Sequence, residues 1–438
     1  VSSRRPERGS LPRSWTTWLL GHGVGEAFLR LAMRRGDPIA RLLADASLNA
    51  DPFDEYERVR AAGPVKRTKL MSGTVSHSVA SEVLRSPTFG VGGGHGELPP
   101  FTRRVLSKVM DPDAMGPMDP PSLLAVDPPA HGRYRRLVSR EFTARSVTAL
   151  ETRITEIAAG LLDEVARGGA SQLDVVEAYA SRLPVVVIAD LLGVPERWQA
   201  DILAWGNDAA MLLEPLLGWR NYRTAEKAVR RLNVWFDEHI ENLRRDPGTD
   251  LLSRLATTSD EERLDQHELR ALGLLVLGAG FETTVNLIGN GVVQLDRHRD
   301  QLEVLRAKPE LWPNAVEEVL RHDSPVQMTL RSAYDDVQVQ GQAVSKGEPV
   351  VVFLGGANRD PAVFTDPHVF DVARENASDH LAFSSGAHYC LGAGLARLEG
   401  TVALRTLFDR FPDLRVSGPT ERRATRVLRG YEHIPVAV

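Results

Sequence analysis

Cys390 is the only cysteine in the chain, and it stands in the run Phe383-Ser384-Ser385-Gly386-Ala387-His388-Tyr389-Cys390-Leu391-Gly392, with Ala396 and Arg397 beyond. One sulfur set among glycines, ahead of a segment with helical spacing, points to a metal thiolate. A lone cysteine is more often a small, buried, inert residue, and here its neighbours reverse that reading. Residues 391–400 read as a helix through Leu391, Leu395, Ala396, Leu398 and Glu399. The sulfur would then face free backbone N–H groups and the positive end of a helix dipole, which keep a thiolate ionised. Gly386 and Gly392 let backbone approach a flat ligand with no Cβ in the way. Phe383 can cover the sulfur and exclude water.

These are the demands of a haem iron on a thiolate ligand. The pattern Phe-x-x-Gly-x-His-x-Cys-x-Gly resembles that of the cytochrome P450 family, the haem-thiolate monooxygenases. The resemblance runs from about residue 36 to the C-terminus, with the family's motifs in order. It implies a mainly α fold with a minor β region (α+β), in which haem b lies between a long distal helix near 266–297 and a proximal helix near 391–404. It also implies that Cys390 is the axial iron ligand and that His388 reaches a haem propionate. Gly392 and Phe383 join them as cofactor-binding residues. The stretches Ala279 to Asn290 and Ala357-Asn358-Arg359-Asp360-Pro361 resemble actinobacterial members, mycobacterial ones especially.

The distal segment contains Gly278-Ala279-Gly280-Phe281-Glu282-Thr283-Thr284. Each mid-helix glycine costs about 1 kcal/mol against alanine, so the pair needs a reason. A loosened turn over a flat cofactor is one and close helix packing is another. Small residues at Ala279 and Gly280 leave room for dioxygen, while Glu282 and Thr283 supply an acid and a hydroxyl. Heterolytic splitting of dioxygen takes two protons, which an alcohol and water can relay from an acid. The match to the family's oxygen-activation motif implies catalytic roles for Glu282 and Thr283.

Glu318-Val319-Leu320-Arg321 is a Glu-x-x-Arg on a helix. By itself it says little, since Glu55/Arg58, Glu57/Arg60, Glu82/Arg85 and Glu303/Arg306 share the spacing and such pairs are usually solvated. Its place ahead of Cys390 resembles the family's proximal lock, with Arg374 as the third member. Haem propionates need cations or donors. His131 and Arg135, at i and i+4 on a helix opening at Asp127-Pro128-Pro129-Ala130, share a face, and the resemblance adds Arg331 and His388. The same helix carries Arg133, Arg136 and Arg140, with Arg145 beyond. No zinc spacing or aromatic interleaving accompanies this cluster, so an acidic electron carrier suits it better than nucleic acid. The glycine run 90–96 misses the dinucleotide register, so electrons are expected from a separate ferredoxin fed by an NAD(P)H-dependent reductase.

A net charge of −5 with 42% hydrophobic residues describes an ordinary globular chain. The expected organisation is a tail and amphipathic helix over 1–35 and a single domain over 36–438, in the reducing cytoplasm. Trp15 to Met33 is interrupted by Gly21, His22, Gly23, Gly25, Glu26 and Arg30, unlike a membrane span. Helical patterns are expected at 131–141, 146–168, 182–193, 196–213, 220–245 and 266–297, short strands at 65–67, 74–76, 327–330, 337–339 and 349–354, and a terminal hairpin over 427–435. Residues 88–126, with Met110, Met115, Met118, Leu123 and Leu124, and the apolar run 209–217 fall where the family places its lid. They suit either an adaptable pocket for a lipid, sterol, terpenoid or polyketide or plain core filling. The expected reaction is hydroxylation or epoxidation of a lipophilic molecule. A peroxide-driven peroxygenase and a non-catalytic haem sensor or partner protein are the alternatives.

Overall fold

The computed structural model describes residues 11–91, 115–169, 171–258 and 263–438. They form two compact units, one from segments 1–45, 90–137 and 188–279, the other from 46–89, 138–187 and 280–438. Of the methionine-rich stretch 88–126, residues 92–114, including Met110 and most of the glycine run, lie outside the described residues.

The first unit is helical. Trp219–Arg245 packs against Glu196–Ala210 and Leu251–Thr257. Asp250 caps the last of these by accepting from the Ser253 N–H at 2.8 Å, which satisfies one of the donors a helix start leaves open. The helix Gln266–Arg297 begins in this unit. Asp265 and Glu268 form a reciprocal capping box there, each carboxylate accepting the other's N–H at 2.8 and 2.9 Å.

The second unit combines helices with short sheets. Ala393–Arg410 packs against Glu151–Gly168 and Trp312–His322. A five-stranded sheet has the order Lys66–Arg67, Ser72–Thr74, Pro349–Val352, Thr329–Ala333, Phe89–Gly90. Its Ser72–Thr74 strand runs parallel to Pro349–Val352, with Ser72 opposite Val350. Val79, Val83 and Leu84 of the helix His77–Arg85 share a buried core with Val350, Val352 and Leu381.

Mainly α with a minor β region is thus the fold. Most expected helices stand within two or three residues of their boundaries. Residues 146–168 are instead divided into Ala144–Thr148 and Glu151–Gly168. The proximal helix begins at Ala393 and runs to Arg410, with Gly392 as its cap, so Cys390 lies two residues ahead of the cap rather than at the helix start. The expected terminal hairpin over 427–435 is also corrected: Tyr431–His433 pairs with Glu421–Arg422, and Pro435–Ala437 pairs with Gln172–Asp174 and Arg415–Val416. Gln172–Asp174 is distant in sequence from Pro435–Ala437, and local alternation cannot reveal such a partner.

Candidate active site

The loop that carries Cys390 is folded back on itself. The Cys390 N–H donates to the Phe383 carbonyl at 2.9 Å, and the Tyr389 N–H to the Gly386 carbonyl at 3.1 Å. Gly386 has φ +69°, and a Cβ there would come within 2.3 Å of the Leu84 carbonyl oxygen. Only glycine satisfies both constraints. Arg85 Nε donates to Ser385 Oγ at 2.8 Å, which pins the same turn. Cys390 is part-exposed.

A second set of contacts ties this loop to the Glu-x-x-Arg pair. Glu318 and Arg321 are completely buried and bidentate, at 2.6 and 2.7 Å. Arg374 Nε joins Glu318 at 3.2 Å. Arg321 also donates to the carbonyls of Asn358, Pro367 and Val369 at 2.9–3.1 Å, and the Asn358 side chain accepts the Leu381 N–H at 2.6 Å. The path from Glu318 through Arg321 and Asn358 therefore ends two residues from Phe383. These buried polar groups are satisfied together and fix one arrangement of the loop.

Phe383 is itself held. The Arg397 guanidinium lies 4.6 Å over its ring centroid, and the His380 and Tyr389 rings flank it at 5.7 and 6.4 Å. Glu317 accepts from both His380 and Arg397 at 2.9 and 2.5 Å. Burial pushes the Glu317 carboxyl up, but its bonds to His380 and Arg397 prevail and hold it below the usual range. The sequence marks Arg397 only as a neighbour of the motif; Glu317 and His380 could not be found from spacing, because the contacts are tertiary.

Between 271 and 295 every residue of the long helix is buried except Ala279, Gly280 and Thr283. Positions i, i+1 and i+4 share one side of a helix, so the opening is a single window. Gly278 next to it would seat a Cβ with nothing within 4 Å, whereas at Gly273 and Gly291 a Cβ would meet Phe236 at 2.5 Å and Leu404 at 2.6 Å. The glycines of this helix thus divide between close packing and open space. Within the first unit, Gly278, Leu274 and Leu277 line an apolar recess with Ala209, Ala210 and Leu213. Part of the run 209–217 accordingly faces a cavity, while Met115 and Leu123 are core and Met118 is exposed.

Glu282 is buried, with Oε1 at 2.6 Å from Arg423. Its Oε2 finds no hydrogen-bond partner among the described residues. Burial raises its carboxyl above the usual range, with Arg423 opposing and Glu432 adding to the shift. Arg423 went unnoticed in the sequence because it stands 141 positions away. Thr284 Oγ1 turns inward to the Gly280 carbonyl at 3.1 Å, which leaves Thr283 as the hydroxyl at the window.

In the second unit Arg331 is buried, and its NH1 donates to Thr329 Oγ1 and the Leu330 carbonyl at 2.9 and 2.8 Å. His388 belongs to the short turn Gly386–His388 ahead of Cys390. In the first unit His131 is buried and Arg135 half-buried on the helix Ala130–Ser139. Of the basic cluster, Arg133 is bonded to Glu268 at 2.7 Å and to the Arg263 carbonyl at 2.8 Å. Arg136, Arg140 and Arg145 are exposed.

The donor set fits a thiolate-bound macrocycle. Cys390 is the only thiol, and among the described residues no three His, Cys, Asp or Glu side chains cluster as a multidentate metal site. Within the second unit, buried Arg331 is of the type that propionates require.

The cytochrome P450 family model matches residues 305–417. Cytochrome P450 140 of Mycobacterium tuberculosis is 48% identical over 425 residues, 96% of this chain and 97% of that protein. The 6-deoxyerythronolide B hydroxylase of Saccharopolyspora erythraea is 42% identical across 71% of this chain and 76% of its own length. Among solved structures, P450BioI in complex with hexadec-9Z-enoic acid-ligated acyl carrier protein superposes with a TM-score of 0.81 at 32% identity, over 90% of this chain and 100% of that one. The chain belongs to the cytochrome P450 family of bacterial haem proteins. It is an oxidoreductase, a monooxygenase, and its cofactor is haem b.

Proposed function

We propose that the protein inserts one oxygen atom from dioxygen into a lipophilic small molecule by hydroxylation or epoxidation, with electrons from a separate ferredoxin and its NAD(P)H-dependent reductase. The observation that carries this reading is the window at Ala279, Gly280 and Thr283, the sole break in burial between 271 and 295. The haem, when bound, supplies the activation of dioxygen. Cys390 is the residue to hold it, at the mouth of the helix Ala393–Arg410. Phe383, steadied by Arg397, shields the sulfur from water, and Gly392 leaves backbone room beside it. His131, Arg135, Arg331 and His388 are assigned to the propionates.

Proton supply falls to Glu282 and Thr283. A carboxyl raised by burial retains a proton at higher pH than an exposed one, and its Oε1 is anchored by Arg423 while Oε2 stays uncommitted. Thr283 at the window passes that proton onward. Ala279 and Gly280 keep side-chain bulk away from the place where dioxygen would stand.

The recess lined by Ala209, Ala210, Leu213, Leu274, Leu277 and Gly278 offers no charged group, which favours an apolar substrate. A relative that hydroxylates 6-deoxyerythronolide B and one solved with a fatty acyl carrier protein support a polyketide or a fatty acyl chain. The exposed Arg136 and Arg140 are assigned to an acidic electron carrier, and a single cysteine, which rules out an intrachain disulfide, suits a reducing cytoplasm.

The test is turnover. Lipophilic compounds are first screened for a shift of the Soret band, and those that bind are incubated with isotopically labelled dioxygen, ferredoxin, reductase and NADPH. A product carrying one labelled oxygen atom is expected. Equal turnover with hydrogen peroxide alone would favour the peroxygenase, and no product from any bound compound would favour the sensor.

A further inference from the structure

The N-terminal helix carries an apolar stripe that the fold does not cover. Six of the eleven exposed large hydrophobic residues among those described lie on it: Leu11, Trp15, Leu20, Val24, Phe28 and Leu31, at 42–64% exposure. They form one line because of a local irregularity. The α-helices Leu11–Trp18 and Val24–Arg34 are joined by a π-helical turn, Leu19–Gly23. The steps along the stripe are four, five, four, four and three residues. The step of five, Trp15 to Leu20, runs into the π-turn, whose extra residue lessens the rotation that an unbroken α-helix would give the stripe.

The flank that carries Ser14, Trp18 and His22 is tethered within the first unit. Ser14 Oγ donates to Glu226 at 2.8 Å, and Trp18 Nε1 donates to the Leu217 carbonyl at 2.7 Å. The Trp18 ring meets Trp219 edge-on at 5.6 Å, His22 lies 5.6 Å from Tyr222, and Leu29 is buried. The helix is therefore held on one side while its apolar side is presented outward, about 30 Å long at the α-helical rise.

We propose that this stripe lies on the surface of a bilayer containing anionic lipid. Charge argues for that occupant. Residues 1–36 contain seven arginines against Glu7 and Glu26, a surplus of five in a chain whose net charge is −5. Arg30, Arg34 and Arg35 are exposed at the end of the stripe. Aromatic and aliphatic residues along one face, with arginines at its margins, form the composition of an interfacial helix. A second copy is a poorer fit, since parallel or antiparallel self-pairing would set arginine-bearing ends against each other.

The experiment mixes the full-length holoprotein with phosphatidylglycerol vesicles and, separately, with phosphatidylcholine vesicles, and measures the fraction that sediments. Sedimentation with phosphatidylglycerol is expected at low salt, weakening as salt rises, and at least about tenfold weaker with phosphatidylcholine, since each basic residue near an anionic surface contributes about fivefold. Arg34→Gln with Arg35→Gln lowers partitioning on the order of 30-fold by the same reckoning. Phe28→Glu with Leu31→Glu abolishes it and leaves thermal unfolding unchanged, because both side chains are exposed. The proposal is overturned by an absence of vesicle binding, by equal binding to both lipids, or by wild-type binding of the Phe28/Leu31 variant. It is also overturned if the lipid-free protein is a dimer that this variant makes monomeric, which would assign the stripe to a second copy.

Discussion

Removing the Arg321 guanidinium would strand the Glu318 carboxylate in a fully buried place with Arg374 as its one remaining cation, at 3.2 Å. Breaking a buried pair in this way costs about 3–5 kcal/mol. Arg321→Ala is therefore expected to shift the denaturant midpoint down sharply or to prevent folding. Arg321→Lys should recover little, because an ammonium cannot reproduce a bidentate bond to Glu318 and three further bonds to carbonyls. A wild-type midpoint for either variant would contradict this. Glu399 makes a second case: it is buried without a partner for Oε2 among the described residues, and burial pushes its carboxyl up to about 8. The folded state then binds the proton more tightly than the unfolded one, so stability is full below about pH 4.5, the ordinary glutamate value, and falls as pH rises toward 8. Glu399→Gln should match wild type at pH 4 and exceed it above pH 8 by on the order of 2–4 kcal/mol, read from melts at both pH values. A pH-independent difference would remove Glu399 from the account. Of these residues, Cys390 was legible because its motif is contiguous, and the Glu318/Arg321 pair because of its place ahead of Cys390, since its spacing alone recurs elsewhere. Arg423 and Glu317 were not, since nothing near Glu282 or Phe383 in sequence announces a partner from another element.

At the scale of elements, the long helix shows how identical residues serve different ends. A Cβ at Gly291 meets Leu404 at 2.6 Å, and one at Gly278 meets nothing within 4 Å. Gly291→Ala is expected to destabilise by about 1–3 kcal/mol through overpacking, and Gly278→Ala to be neutral or to stabilise by up to about 1 kcal/mol; thermal melts decide both. Gly278→Leu should fold yet fill the recess, so lipophilic compounds that shift the Soret band of the wild type should fail to do so in the variant. An unchanged shift would place substrate elsewhere. The helix itself was readable from its apolar length, but the sequence could not say which glycines packed and which opened a space. The proximal helix was placed two residues early because Leu391 and Gly392 continue its apolar spacing, while the turn through Gly386 in fact delays the helix until Ala393. Strand partners such as Pro435–Ala437 with Gln172–Asp174 are beyond local pattern altogether.

For the whole molecule, the order of motifs carried the family, the fold class and the cofactor, because each of those rests on short contiguous signatures. The apolar recess was illegible, since it draws on Pro117, Gly206, Leu213, Leu232, Leu274 and Gly278, which only the fold brings together. Among the described residues one helix, Gln266–Arg297, is long and apolar enough to cross a membrane, and its apolar window is 83% buried, as a core helix requires. The central claim is the bond from the Cys390 sulfur to haem iron, and carbon monoxide binding to the reduced, haem-loaded protein tests it most directly. The account predicts the long-wavelength Soret band of thiolate-ligated haem in the wild type and its loss in Cys390→Ser. Folded, haem-loaded wild type that gives only the shorter-wavelength band of imidazole-ligated haem, or a Cys390→Ser protein that keeps the long-wavelength band, would contradict it.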